Sequence, residues 1–171
     1  FPKAKDAALK AVELDETVAA AHSALGTVRL WFDWDYTASE REFKRAIELD
    51  PGDALAHESY SLYLRAVVRL DEALSEVKRA QELDPLSIYM SNSMAWVLYF
   101  RGQHDEPISQ FQKTLDMDPT LGNPHWGIGR AYEQKGMYQE AIAEMQKGGP
   151  DFPNRLGTLG HVYALMGNRR E

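Results

Sequence analysis

The five histidines are the side chains in this sequence best suited to hold a metal or to move a proton near neutral pH. A metal-dependent hydrolase needs two histidines four residues apart on one helix with a carboxylate beside them, so that ligands and base share a face. His57 is followed by Glu58, but no second histidine follows at that spacing, and no other pair of histidines has it. The absence of cysteine removes thiolate metal sites and disulfides and leaves the redox compartment open. Carboxylates are plentiful. Glu40, Glu42, Glu48 and Asp50 alternate with Arg41, Lys44 and Arg45, a pattern that reads as solvated helix surface. Gly127-Ile128-Gly129 follows no strand pattern, so it is not a phosphate loop. No nucleophile, base and orienting group come together. We therefore expect no enzyme, no cofactor and no metal site.

The histidines make sense once the elements that carry them are set out. Leu49-Asp50-Pro51, Leu83-Asp84-Pro85 and Met117-Asp118-Pro119 place their prolines 34 residues apart, and a degenerate copy, Leu14-Asp15-Glu16, precedes them. A fixed period of this length marks an array of stacked supersecondary units. In that register His22, His57 and His125 occupy one repeat position, so they recur because the unit recurs.

Apolar residues at helical spacing, such as Phe43 with Ala46 and Ile47, predict two helices per unit. The expected pairs cover 18–31 and 36–49, 54–68 and 71–83, 87–101 and 105–117, and 122–135 and 138–147. Each Asp-Pro disfavours continuation of the helix before it. Gly102 and Gly136 can end the first helix of their units in the left-handed conformation. Gly148-Gly149-Pro150 is a further stop. Pro107 is expected in the first turn of its helix, behind Asp105 as the cap. No strand pattern competes. The chain reads as one domain: a half repeat at 1–16, repeats at 17–52, 53–86, 87–120 and 121–152, and a half repeat at 153–171.

Bulk properties narrow the partners. With 19 basic and 26 acidic side chains the net charge is −7, which disfavours nucleic acid. No apolar run approaches the roughly 18 residues that span a bilayer, and no membrane partner is expected. The N-terminus has no signal-peptide layout and no initiator Met, which reads as a segment of something longer. We expect a cytoplasmic location.

These residues resemble the tetratricopeptide repeat, a helix-turn-helix unit with an approximate W-x2-L-G-x2-Y…A-x3-F…P signature. The fourth unit carries His125 at the Trp position, then Ile128-Gly129, Tyr132, Gly136, Tyr138, Ala141 and Met145. The first has Leu25-Gly26, Phe43, Ala46 and Pro51; the second has Ala73, Val77, Ala80 and Pro85; the third has Phe111 and Pro119. Leu159-Gly160, Tyr163 and Gly167 begin a fifth unit, and Phe1, Ala4, Ala8 and Ala11 look like the second helix of an earlier one. Two departures stand out. There is one extra residue in the turn from Trp31 to Tyr36, and the link from the fourth unit to the fifth is about three residues short of the period of the array. The Asp33-Trp34-Asp35 turn also looks similar to repeat regions of some bacterial regulatory proteins.

The resemblance implies an all-α, right-handed superhelical solenoid of antiparallel helix pairs that acts as a protein-protein interaction module. It places first helices on a concave face, with signature positions packed inward and the intervening ones facing a groove. In the third unit the packing set is Ser91, Met94, Ala95 and Leu98. The groove set is Tyr89, Asn92, Trp96 and Tyr99, with Phe100 beside it; their spacing puts the four on one helix face. The fourth unit adds Asn123, Trp126, Arg130, Glu133 and Gln134. The second adds Glu58, Leu62 and Arg65, and the first adds Ser23, Thr27, Leu30 and Trp31. Aromatics with Arg match binding hot spots, and Asn amides can hold an extended peptide backbone. The Lys and Asn clamp that some members use for chaperone tails is absent, since Ser23, Thr27, Ser59, Tyr89 and Ser93 hold its positions. The expected partner is a peptide or a protein. The alternative is self-association through incomplete terminal repeats, with Ala8 and Val12 exposed at one end and Leu159, Val162 and Tyr163 at the other.

Overall fold

The computed structural model describes residues 2–149 and 155–167, and every described element is helical. The helices are α1 (Pro2–Leu14), α2 (Ala19–Val28), α3 (Tyr36–Leu49), α4 (Ala54–Ala66), α5 (Leu70–Leu83), α6 (Ile88–Phe100), α7 (Asp105–Met117), α8 (Gly122–Gln134), α9 (Tyr138–Lys147) and α10 (Arg155–Leu165). Phe1, Pro150 and the last residues of the expected fifth repeat, 168–171, lie outside the described residues.

The repeated Asp-Pro does more than stop helices. Asp15, Asp50 and Asp118 each accept a hydrogen bond from the backbone N–H two residues later, at 2.9, 3.0 and 2.9 Å. That turn lets the side chain replace a backbone partner while the chain reverses. Asp35 caps α3 through Ala38 N–H, and Asp53 caps α4 through Leu55 N–H. Pro107 lies in the first turn of α7 as expected, but Asp105 is the first helical residue and not the cap. Its carboxylate instead meets the Lys135 ammonium at 2.5 Å.

The turn between the helices of each unit holds one left-handed residue. Trp34, Val68, Gly102 and Gly136, each 34 residues after the last, have φ of 54°, 62°, 75° and 73°. The extra residue of the first unit is absorbed just before this point. After Val28 the chain continues as a π-helical segment, Arg29–Asp33, in place of the regular helix expected through Trp31. A π segment is how a helix takes up a one-residue insertion without rotating everything that follows.

Packing depends on small residues under large ones. The Phe43 ring lies on Gly26, where an added Cβ would come within 2.9 Å of it; Phe111 lies on Gly127 and Met145 on Gly129. Phe43, Phe111 and Met145 are fully buried.

The described packing divides into two compact units, residues 1–90 and 91–171. In the first, α1 packs on α2, α2 on α3, α3 on α4 and α4 on α5; in the second, α7 packs on α8, α8 on α9 and α9 on α10. Most of the residues expected to be exposed at the open ends face this packing instead. Ala8, Leu159 and Val162 are buried, and only Tyr163 of the named end residues is well exposed. Leu159 and Val162 share a core with Trp126, Ala141, Ile142 and Met145.

Candidate functional site

The recurring histidines are cross-braces between the two helices of a unit. His22 Nδ1 lies 2.7 Å from Glu42, His57 Nδ1 lies 2.6 Å from Glu76, and His125 Nδ1 lies 2.6 Å from Glu144. Each ring is thus held by a carboxylate on the facing helix. For His22 and His57 the other nitrogen meets the backbone carbonyl six residues earlier, Glu16 at 3.0 Å and Pro51 at 3.2 Å. In the third unit both partners change together. Ser91 stands at the histidine position and Gln110 at the glutamate position, with Gln110 Nε2 donating to Ser91 Oγ at 3.3 Å and Thr114 Oγ1 2.9 Å from the same oxygen. The pair is coupled because a lone member would be a buried polar group without its partner. Among the described residues no group of three or more His, Asp or Glu is arranged to hold a metal.

Two carboxylates expected to be solvated decoration are structural. Glu42 serves His22, and Arg29 approaches it at 3.4 Å. Glu40 collects Arg69 at 2.7 Å, Lys44 at 2.9 Å and the Tyr60 hydroxyl at 3.0 Å, tying α3 to α4 and to the start of α5. The Arg69 guanidinium, helped by Lys44, holds the Glu40 carboxyl down at about 2.

The expected groove residues fall in two sets. Within residues 1–90, Glu58, Leu62 and Arg65 lie along α4, and Tyr89 lies in the first turn of α6. Glu58 is buried at 3% exposure, whereas half of Tyr89 is exposed. Burial, followed by the nearby Glu58 carboxylate, pushes the Tyr89 hydroxyl up to about 12. Burial also lowers Arg65, against the Glu58 charge.

Within residues 91–171, Asn92 and Trp96 lie one turn apart on α6. The Trp96 indole N–H donates to Asn123 Oδ1 of α8 at 2.8 Å, joining two first helices through exposed side chains. The ring stands edge-on to Phe111 and to Tyr99, with centroids 5.1 and 5.6 Å away. Asn92 Oδ1 is buried without a hydrogen-bond partner. Arg130 pairs with Glu133 at 3.2 Å, and His161 of α10 reaches Glu133 at 3.3 Å.

Besides Glu58, three expected groove side chains belong instead to the interior. Trp126 is 2% exposed, Tyr99 is 5% and Leu30 is 2%. Trp126 has the groove spacing, but α10 and the end of α9 close over it. A Cβ on Gly148 would come within 2.6 Å of its ring. Tyr99 packs beneath the exposed Phe100 and Trp96. The sequence reading overlooked the His-Glu braces, although the matching change at Ser91 and Gln110 was a signal in the repeat register.

Between α7, α8 and α9 lies a cavity of about 320 Å³ on a different side of α8. Its α8 residues are His125, Ile128 and Tyr132, whose spacing sets them opposite Asn123 and Arg130 on the helix.

The chain matches the tetratricopeptide-repeat family over residues 30–88 and again over 124–148. No curated protein matches it in sequence. Among solved structures it is similar to TTC0263, a thermophilic TPR protein of Thermus thermophilus, with a TM-score of 0.80 at 15% identity over 94% of this chain and 89% of that one. It is similar to PilW, a widely conserved type IV pilus biogenesis factor, with a TM-score of 0.80 at 22% identity over 88% of this chain and 70% of that one. It is also similar to YrrB, described as a TPR protein with an unusual peptide-binding site, with a TM-score of 0.67 at 17% identity over 97% of this chain and 87% of that one. At these identities the likeness is one of fold.

Proposed function

Since the chain carries tetratricopeptide repeats, we propose that it is a protein-protein interaction module, a scaffold or regulatory segment of a larger protein, whose first helices receive a peptide or protein segment. The observation that carries this reading is the Trp96–Asn123 bond at 2.8 Å. It holds a large aromatic surface in place beside two amides, Asn92 and Asn123. An extended segment lying there finds a rigid apolar anchor, and amide groups that can both donate to and accept from its backbone. Arg130 lies two turns along α8 from Asn123 and offers a partly exposed positive charge. Within residues 1–90, Leu62, Arg65 and Tyr89 offer a second contact area.

Panning a random peptide library on the chain tests the assignment. Selected peptides should lose at least about tenfold in affinity on Trp96→Ala, Asn123→Ala or Arg130→Ala, the loss expected of a hot-spot contact. Peptides that bind all three variants as they bind the parent would place the site elsewhere.

A further inference from the structure

Charge is unevenly divided between the two helices of a unit. Along the whole chain 26% of residues are charged. The second helix α3 alone carries Glu40, Arg41, Glu42, Lys44, Arg45 and Glu48. The first helices α2 and α6 carry no Asp, Glu, Lys or Arg, and α4 and α8 carry one Glu and one Arg each. Burial alone does not account for this. Leu55, Tyr89 and Asn123 hold one repeat position on successive first helices; all three are exposed, and none is charged.

The charges that these helices do carry are matched in pairs. Within residues 91–171, the Glu133 side chain is 10% exposed, and its carboxylate lies 3.2 Å from the Arg130 guanidinium three residues earlier. His161 of α10 meets its other oxygen at 3.3 Å. Arg130 is the more exposed member of the pair, at 40%, so a negative charge lies beneath the positive one. Within residues 1–90 the arrangement recurs. Glu58 is buried, accepts a hydrogen bond from the Tyr89 hydroxyl and acts with its charge on Arg65.

A carboxylate this close cancels most of the field of its arginine, since opposite charges a few ångströms apart act at longer range as a dipole. A partner carboxylate placed on Arg130 would be desolvated beside Glu133 with little net attraction in return. A partner ammonium would meet the guanidinium first, because Glu133 lies beneath it. An uncharged segment loses no charge hydration, and it keeps the Trp96 ring and the Asn92 and Asn123 amides as contacts. Arg130 still has N–H groups to donate to a backbone carbonyl.

Taking Trp96 and its amides as the peptide site, we propose that this surface selects an uncharged segment, and that Glu133 sets the preference by neutralising Arg130. Glu58 does the same for Arg65 within residues 1–90.

The test starts from peptides panned on the parent chain that weaken on Trp96→Ala. The segment that contacts the chain should contain no Asp, Glu, Lys or Arg. Raising salt from ~50 to ~500 mM should change the affinity less than about threefold. Asp and Lys are then placed in turn at one contact position that tolerates Ala. On the parent both should weaken binding at least about tenfold, and to within about threefold of each other. Glu133→Gln should favour the Asp peptide over the Lys peptide by about tenfold. Glu133→Gln together with Arg130→Gln should bring that ratio back to the parent's, whatever the absolute affinity. The parent's ratio and salt response are read on the unaltered chain, so they decide the matter even where a variant does not fold. Trp96-dependent peptides of one charge sign that weaken more than about tenfold over that salt range would overturn the proposal and leave the peptide site in place. A Glu133→Gln chain with the parent's ratio would do the same. If no selected peptide weakens on Trp96→Ala, the site and its selectivity are both overturned.

Discussion

Val68 holds φ at 62°, the left-handed conformation that Gly102 adopts at the same position of the next unit with φ of 75°. A β-branched residue there is strained, since its Cβ crowds the following carbonyl, at a cost of about 1–2 kcal/mol. Val68 is 72% exposed, so no packing offsets the strain. Val68→Gly should therefore stabilise the chain by roughly 1 kcal/mol, after the loss of unfolded-state restriction is subtracted. Urea unfolding with an unchanged slope and a higher midpoint is the expected result, and a lower midpoint would remove the strain argument.

The His-Glu braces predict a specific non-additivity. His57→Ser alone leaves the Glu76 carboxylate without its partner, and Glu76→Gln alone replaces a charged hydrogen bond to His57 by a neutral one, whereas the double substitution installs the pair that the third unit carries as Ser91 and Gln110. Each single change should cost about 1–3 kcal/mol. The double should cost less than the sum by about 1 kcal/mol. Additive losses in a denaturation cycle would mean that the two positions are not energetically coupled.

The two tryptophans of the expected groove should separate by stability. Trp126→Ala removes a core residue that is 2% exposed and should cost about 3–5 kcal/mol. Trp96→Ala leaves a partly exposed position and should cost less than half as much. Near-UV circular dichroism and chemical denaturation of the two variants make the comparison. Equal losses would mean that Trp96 is also a core residue, with no anchor role.

The Glu40 network predicts an acid-side stability change. Arg69 and Lys44 hold the folded carboxyl down at about 2, against 4.5 for the ordinary group. A depressed carboxyl stabilises the fold fully above its unfolded value. That contribution fades as pH falls from 4.5 toward 2. The ion pairs are largely at the surface, so the effect should be below about 1 kcal/mol and should shrink in high salt. Glu40→Gln should flatten this part of the pH–stability curve. A variant with the parent's slope between those limits would assign the acid sensitivity to other carboxylates.

Much of this architecture is local and therefore readable from the chain. The 34-residue period of Asp-Pro, the apolar spacing of residues such as Phe43 and Ala46, and the glycines at 102 and 136 act within one unit, and together they predict helix pairs and their register. Composition disfavours nucleic acid for the same reason, since charge needs no coordinates to be counted. Which side chains reach solvent is a different kind of property. Trp96 and Trp126 both fall at expected groove positions of successive first helices, but one is partly exposed and bonded to Asn123, while the other is sealed beneath α10 and Gly148. The braces at His22, His57 and His125 share one repeat position and one carboxylate partner, but the last ring also lines the cavity between α7, α8 and α9. Helix identity follows from short-range hydrogen bonding and periodicity, whereas burial depends on neighbouring units in space. The chain by itself therefore determined the repeat, and the tertiary structure decided which copies of each repeated residue remain available to a ligand.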